Sequence, residues 1–166
     1  MAERRRQLRW YERPLEGFAK SRLGGWYFLN VAMPIDRRLL PLTNGRMSTG
    51  FGQQVGLLRT VGARSGQPRS TPLLYLTDGD RVVLIASKAG AARNPAWLHN
   101  IRKNPNVTFL APKGRSGEYV AREAEGAERE RLWVEAVDYY AGYETYQGRT
   151  GGREIPVVVL EPAPAT

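Results

Sequence analysis

Three apolar runs occupy the middle of the chain, and the spacing between them decides what it can fold into. Val55 to Val61, Ser70 to Leu76 and Arg81 to Ser87 are rich in Leu, Val and Ile. They are separated by a turn, GARSGQPR, and by the four residues Thr77-Asp78-Gly79-Asp80. Both connectors carry turn chemistry. Both are shorter than the dozen or so residues a parallel crossover takes, so the three strands are antiparallel neighbours. Val107 to Ala111, Glu118 to Glu125 and the fully apolar Ile155 to Leu160 predict three more strands. Asn94 as N-cap and Pro95 at the first helical position open a short helix that Asn104-Pro105 stops. On it Trp97, Asn100 and Ile101 share one face. Ala127 to about Tyr140 reads as an amphipathic helix with Leu132, Trp133, Ala136 and Val137 inward. About six antiparallel strands with helices inserted between them describe a mostly β, α+β chain folded as a small β-barrel with helical decoration.

Upstream the pattern changes. Trp26, Leu29, Met33 and Arg37 could share a helical stripe, but Pro34 and Pro41 interrupt it, and residues 43–52 are a Gly/Ser/Thr-rich loop. The predicted organisation is a basic, partly helical arm over residues 1–50 and a barrel domain over 51–166. Net charge is +9, and the arm holds ten Lys and Arg against four acids. It also carries Trp10, Tyr11, Phe18, Trp26, Tyr27 and Phe28. Cations interleaved with aromatics suit an anionic surface, whether phospholipid, nucleic acid or a polyanionic ligand. The alternative is a solvated arm that packs its aromatics on the barrel.

Much chemistry is excluded. The chain has no cysteine, which removes disulfides, thiolate metal sites and thiol redox catalysis. His99 is the sole histidine, so a multi-histidine metal site is impossible, and a solvent-facing imidazole is the simpler reading of it. Gly50, Gly52 and Gly56 give G-x-G-x-x-x-G, one residue too long for a dinucleotide fingerprint and followed by a strand rather than a helix. No P-loop occurs. The apolar runs fall far short of the roughly 20 residues of a membrane span. No apolar h-region follows the N-terminal cations, which speaks against a secretory signal. The expectation is a soluble cytoplasmic protein without a metal.

What remains is cations, amides and aromatics. Arg64 and Arg69 flank the reversal between the first two strands, where glycines let backbone N–H groups approach an anion and guanidinium forks match a phosphate or carboxylate. Taken alone, the same turn could be a wet hairpin. Ser87 and Lys88 stand where the third strand becomes loop, just before the short helix opens with its unpaired N–H groups. Tyr140, Tyr143 and Tyr146 fall near one face if a helix continues through Gly142, either lining a pocket or packing on the barrel.

Three segments in order, TVGARSGQPRSTPLLYL, IASKAGAARNPAWLHNIRKNPNV and YYAGYETYQGRTGGREIPVVVLEP, resemble the deazaflavin (coenzyme F420)-dependent nitroreductase and quinone reductase family. The resemblance covers about Val55 to Pro162 and implies a split β-barrel of the flavin-mononucleotide-binding type. It implies that reduced coenzyme F420 donates hydride to a quinone-like or nitroaromatic acceptor. Arg64 and Arg69 would meet the coenzyme's polyglutamate tail, with Ala63 standing where the family usually has an arginine. Lys88 would lie near the phosphate, with Ala89 in a glycine's place. Thr71, Pro72, Ser87, Trp97 and Asn100 would complete the coenzyme site. Tyr140, Tyr143 and Tyr146 would close the acceptor pocket and, with Ser87, hydrogen-bond the acceptor. Glu154 and Arg149 read as a structural ion pair. A lipid quinone as acceptor makes sense of the basic arm as a peripheral contact with the anionic inner face of the cell membrane. Two rivals stand beside this reading: a non-catalytic coenzyme- or nucleic-acid-binding barrel, and a flavin-mononucleotide-dependent reductase. Nucleic acid fits poorly, because Trp97, Trp133 and the tyrosine cluster fall on helices rather than on strands as stacking platforms. Homo-oligomer formation is left open.

Overall fold

The computed structural model describes residues 31–43, 48–49, 53–112 and 114–164. Most of the basic arm, including Trp26 and Leu29, lies outside the described residues. Six strands form the frame: β1 (Val55–Val61), β2 (Pro68–Asp78), β3 (Arg81–Ile85), β4 (Asn106–Leu110), β5 (Gly117–Glu123) and β6 (Val157–Pro162). Four helices accompany them: α1 (Met33–Leu42), α2 (Ala96–Lys103), α3 (Gly126–Tyr139) and α4 (Gly142–Arg149). A single 3₁₀ turn spans Lys88–Gly90.

The strands close a barrel in the order β1-β2-β3-β6-β5-β4, every pairing antiparallel. The barrel is therefore two three-stranded meanders joined at two seams. One seam sets Leu57 against Leu110 and the other sets Val83 against Val159. Because β1 and β3 run the same way, the β1–β2 turn and the loop after β3 emerge at one end. The β2–β3 turn lies at the other.

Alternation along the strands divides the apolar residues between two cores. Leu58, Tyr75, Leu84, Phe109, Val158 and Leu160 point into the barrel, which α2 closes with Trp97, Leu98 and Ile101. Tyr75 and Phe109 meet edge to face with centroids 5.3 Å apart. A Cβ on Gly56 would stand 2.2 Å from the tip of the Phe109 ring, so the last glycine of the G-x-G-x-x-x-G run makes room for an aromatic side chain. On the outer face Val83, Ile85, Val157 and Val159 pack under α3 and α4. Leu40 of α1 is fully buried against Val55 and Leu57. Asp36 of the same helix accepts hydrogen bonds from the Thr49 N–H at 2.7 Å and its hydroxyl at 2.9 Å.

Four local expectations are corrected. Strand β2 runs past both predicted ends, because its pairing continues through the polar residues that flank it. Pro95, not Asn94, is the N-cap of α2, and the Asn94 carboxamide oxygen serves Arg153 instead. The long helix ends at Tyr139, close to its predicted end, but it does not continue through Gly142: Tyr140 turns extended and a separate helix starts at Gly142. Glu154 pairs with Arg129 of α3 at 3.1 Å rather than with Arg149. A charged lattice also braces the flank of the barrel. Glu128 joins Arg81 at 2.8 Å and Arg122 at 2.6 Å, and Arg131 joins Asp78 at 2.9 Å.

Candidate functional site

The β1–β2 reversal is held by its own backbone and by α2. Gly62 donates to Gln67 O at 2.9 Å, and Gly66 takes a φ of +67° that suits glycine. Asn100 reaches across from α2: its oxygen accepts the Ala63 N–H at 2.9 Å and its nitrogen donates to the Thr60 hydroxyl at 3.0 Å. Lys103, one turn further along α2, donates to Ala63 O at 2.7 Å. Arg64 and Arg69 stay exposed at the surface of this pinned turn.

The loop after β3 is the most contorted segment. Lys88 and Ala89 have φ of +47° and +53°, a left-handed pair without a glycine between them. That region costs about 1–2 kcal/mol per ordinary residue, so the surroundings must impose it. Gly90 follows at φ +81°, and a Cβ there would stand 2.9 Å from Tyr146 O. The loop therefore packs directly on α4. Ser87 is nearly buried and the Lys88 side chain projects to the surface.

Tyr140, Tyr143 and Tyr146 form a mutual cluster, with centroids 5.2, 6.1 and 6.4 Å apart. The break at Tyr140 lets three rings from two elements meet, and the Tyr140 and Tyr146 hydroxyls lie 3.2 Å apart. Gly142 is obligatory, because a Cβ there would sit 2.3 Å from the Tyr140 ring. Ala89 packs against the same cluster. Burial, reinforced by Tyr139 and Tyr146, raises the Tyr143 hydroxyl far above an ordinary phenol. It stays protonated at neutral pH, a hydrogen-bond donor rather than a base.

The structure thus brings Ser87, Lys88 and Ala89 together with the three tyrosines. It places Arg64 and Arg69 at the same end of the barrel, tied to α2. Thr71 and Pro72 sit within β2, paired with Leu58 and Leu57. Trp97 is buried in the barrel core, and Asn100 spends both amide atoms on the turn. His99 is exposed on α2. Sequence reasoning missed Arg153, whose guanidinium lies under the Ser87 loop. Its one sequence signal was an arginine between a Gly-Gly pair and a buried strand.

Electrostatics separate this end from the flank. Among the described residues Arg64, Arg69 and Lys88 pair with no carboxylate, whereas Arg81, Arg102, Arg122, Arg129 and Arg131 all do. A cleft of about 490 Å³ beside α3 is lined by Arg102, Glu123, Arg129 and Glu154. Its arginines are already paired, so it is not the face that would attract an anion.

Residues 36–162 match the model of the F420H(2)-dependent quinone reductase family. The F420H(2)-dependent quinone reductase Rv1261c of Mycobacterium tuberculosis is 42% identical over 106 residues, covering 63% of this chain and 70% of that protein. A solved F420-H2 dependent reductase is similar with a TM-score of 0.57 at 37% identity, over 65% of this chain and 94% of its own. A second solved structure, described as a domain-swapped dimer, is similar with a TM-score of 0.61 at 33% identity, over 77% of this chain and 99% of its own.

Proposed function

The chain belongs to the F420H(2)-dependent quinone reductase family, and on that premise we propose that one end of the barrel holds both coenzyme and acceptor. The chain is an oxidoreductase that draws electrons from reduced coenzyme F420 and passes them to a quinone-like acceptor. The observation that carries the site assignment is the set of exposed cations, Arg64, Arg69 and Lys88, left without carboxylate partners beside the Ser87 loop and the tyrosine cluster. A coenzyme with a phosphate and a polyglutamate tail is the kind of polyanion such a donor set fits.

Bound there, the reduced coenzyme supplies a hydride, and the remaining work belongs to the chain. Arg64 and Arg69 hold the tail, and Lys88 holds the phosphate. Ser87, ahead of the left-handed Lys88-Ala89 backbone, and Thr71 and Pro72 of β2 would line the coenzyme. Trp97 and Asn100 act from beneath, one filling the barrel end and the other fixing the turn. Tyr140, Tyr143 and Tyr146 wall the acceptor and exclude water. The Tyr143 hydroxyl, kept protonated by burial, donates a hydrogen bond to an acceptor carbonyl. The accompanying proton would come from Tyr140, Tyr143 or, once the site opens, solvent.

The test is fluorescence titration with oxidised coenzyme F420, followed by reduced coenzyme plus menadione in the same cuvette. Binding with acceptor-dependent reoxidation is expected. Absence of binding, with flavin mononucleotide bound instead, would overturn the reading.

The lipid partner is a finer proposal. Within the basic arm, α1 leaves Leu42 and Ile35 exposed on a helix that also presents Arg37 and Arg38. Apolar and cationic side chains together support contact with an anionic bilayer at the cytoplasmic face. Among the described residues no helix is long and apolar enough to cross a membrane. Co-sedimentation with anionic but not neutral vesicles is expected, lost on deletion of residues 1–40. Binding that survives the deletion counts against the arm.

A further inference from the structure

We propose that Arg153 is a positioning residue that locks the Ser87–Asn94 loop to the tyrosine helix, so that the two halves of the site are held in fixed register. This rests on the reading that the loop binds the coenzyme. The guanidinium of Arg153 fills the concave side of the loop. Nη2 donates to Ala91 O at 2.8 Å and Ser87 O at 3.1 Å; Nη1 donates to Asn94 Oδ1 at 2.8 Å and Ala86 O at 3.4 Å; Nε donates to Ala91 O at 3.3 Å. One side chain thus gathers four residues on both sides of the left-handed Lys88-Ala89 pair. Among the described residues no carboxylate pairs with it, and its acceptors are the Ala86, Ser87 and Ala91 carbonyls and the Asn94 carboxamide.

The other side of the lock is the backbone of Arg153. Its carbonyl accepts from Gln147 Nε2 at 2.8 Å and from the Thr150 hydroxyl at 2.7 Å. Gln147 also accepts the Ile155 N–H at 2.9 Å through its own side-chain oxygen. Gln147 lies on α4 next to Tyr146. Arg153 is therefore grasped by the helix that carries Tyr143 and Tyr146 and in turn grasps the loop that carries Ser87 and Lys88. Burial makes the charged form of Arg153 less favourable, so this placement has a cost that the hydrogen bonds must offset. Only a planar fork with five donors in fixed directions satisfies these acceptors; an ammonium group at the same place reaches fewer of them.

The experiment compares Arg153→Lys with wild type and with Arg131→Gln, which removes a cation from the flank lattice instead. Amide hydrogen exchange is read without coenzyme, and the dissociation constant of oxidised coenzyme F420 is read by fluorescence. In Arg153→Lys, exchange at Gly90 and Ala91 is expected to accelerate about tenfold while Leu84 and Val158 keep their protection. The coenzyme dissociation constant is expected to rise about tenfold, because a loosened loop must be ordered on binding. Turnover at saturating coenzyme should change by less than about threefold, and Arg131→Gln should alter neither reading. An unchanged dissociation constant, or acceleration spread evenly over the barrel, overturns the proposal. If wild type itself fails to bind the coenzyme, the site reading falls and the proposal falls with it. The wild-type titration tells that case apart from failure of the lock alone.

Discussion

Asn100 accepts the Ala63 N–H at 2.9 Å, so a side chain on α2 fixes the turn that carries Arg64, across 37 residues of sequence. The cations proposed to meet the coenzyme stand on a reversal otherwise held by its own short hydrogen bonds and by Lys103. The first prediction follows from removing that support. Asn100→Leu leaves the Ala63 N–H and the Thr60 hydroxyl without their partner, and a buried polar group so stranded costs about 1–3 kcal/mol. Urea unfolding should show a loss of about 2 kcal/mol, with weaker coenzyme binding and a nearly unaltered maximal rate. A variant as stable as wild type would mean that the pin is idle.

Ala89 provides a test of opposite sign. Its φ of +53° lies where an L side chain is strained and glycine is not. Ala89→Gly should stabilise the folded chain by about 1 kcal/mol net of the extra freedom glycine has when unfolded. For a chain of this size that raises the melting temperature by about 2–4 °C, readable by calorimetry. Unchanged or lower melting would show that the loop is not strained.

The tyrosine cluster depends on Gly142. A methyl group there would stand 2.3 Å from the buried Tyr140 ring, which would have to shift out of the cluster. Overpacking of this kind costs about 1–3 kcal/mol. Gly142→Ala should lower stability by that order and flatten the near-ultraviolet circular dichroism of the tyrosines, with menadione turnover falling along with it. Retained turnover would detach the cluster from the acceptor.

Lys88 and Tyr143 should fail differently. Losing a charge-assisted contact of about 1.5–3 kcal/mol, Lys88→Ala should raise the coenzyme dissociation constant about tenfold or more, and the wild-type affinity itself should weaken with salt. Tyr143→Phe keeps the ring and removes the donor, so it should slow acceptor reduction while leaving coenzyme affinity within about twofold. Titration and steady-state kinetics on the same preparations separate the two.

Acid should weaken the flank lattice. The Arg122 guanidinium, and then Arg81, hold the Glu128 carboxyl down at about 2, below its ordinary 4.5; Arg131 and Arg81 likewise lower Asp78. A carboxylate depressed in the folded state adds stability above its unfolded value, and that contribution disappears as pH falls through the folded one. The melting temperature should decline between pH 4.5 and 2, less steeply in Glu128→Gln and in high salt. An identical slope in the variant would show that this lattice contributes nothing.

The barrel was legible because apolar runs and turn chemistry are written locally. Val55–Val61 needed no tertiary information, and GARSGQPR announced its own reversal. The end of the long helix near Tyr140 was legible, but the extended turn at Tyr140 and the restart at Gly142 were not, since they serve ring packing that only the assembled cluster supplies. The same reason hid the division of labour within the site. A polar residue on a helix face does not say whether it points to a ligand or to a neighbouring turn, and Asn100 serves the turn. Arg153 belonged to no recognisable motif, because its partners are backbone oxygens that the sequence cannot mark.

The two seams have a consequence for how the chain comes together. Each meander pairs strands close in sequence, whereas Leu57 with Leu110 and Val83 with Val159 close long loops. Loop closure of that kind slows folding, so the halves can form early and the seams last. The Ser87–Asn94 loop and α2 lie on the crossover between the halves and gain their shape only when both seams are shut. A ligand that recognises that shape therefore binds the finished fold alone and withdraws it from unfolding by mass action. Coenzyme supply would then govern how long each molecule survives as well as how fast it works.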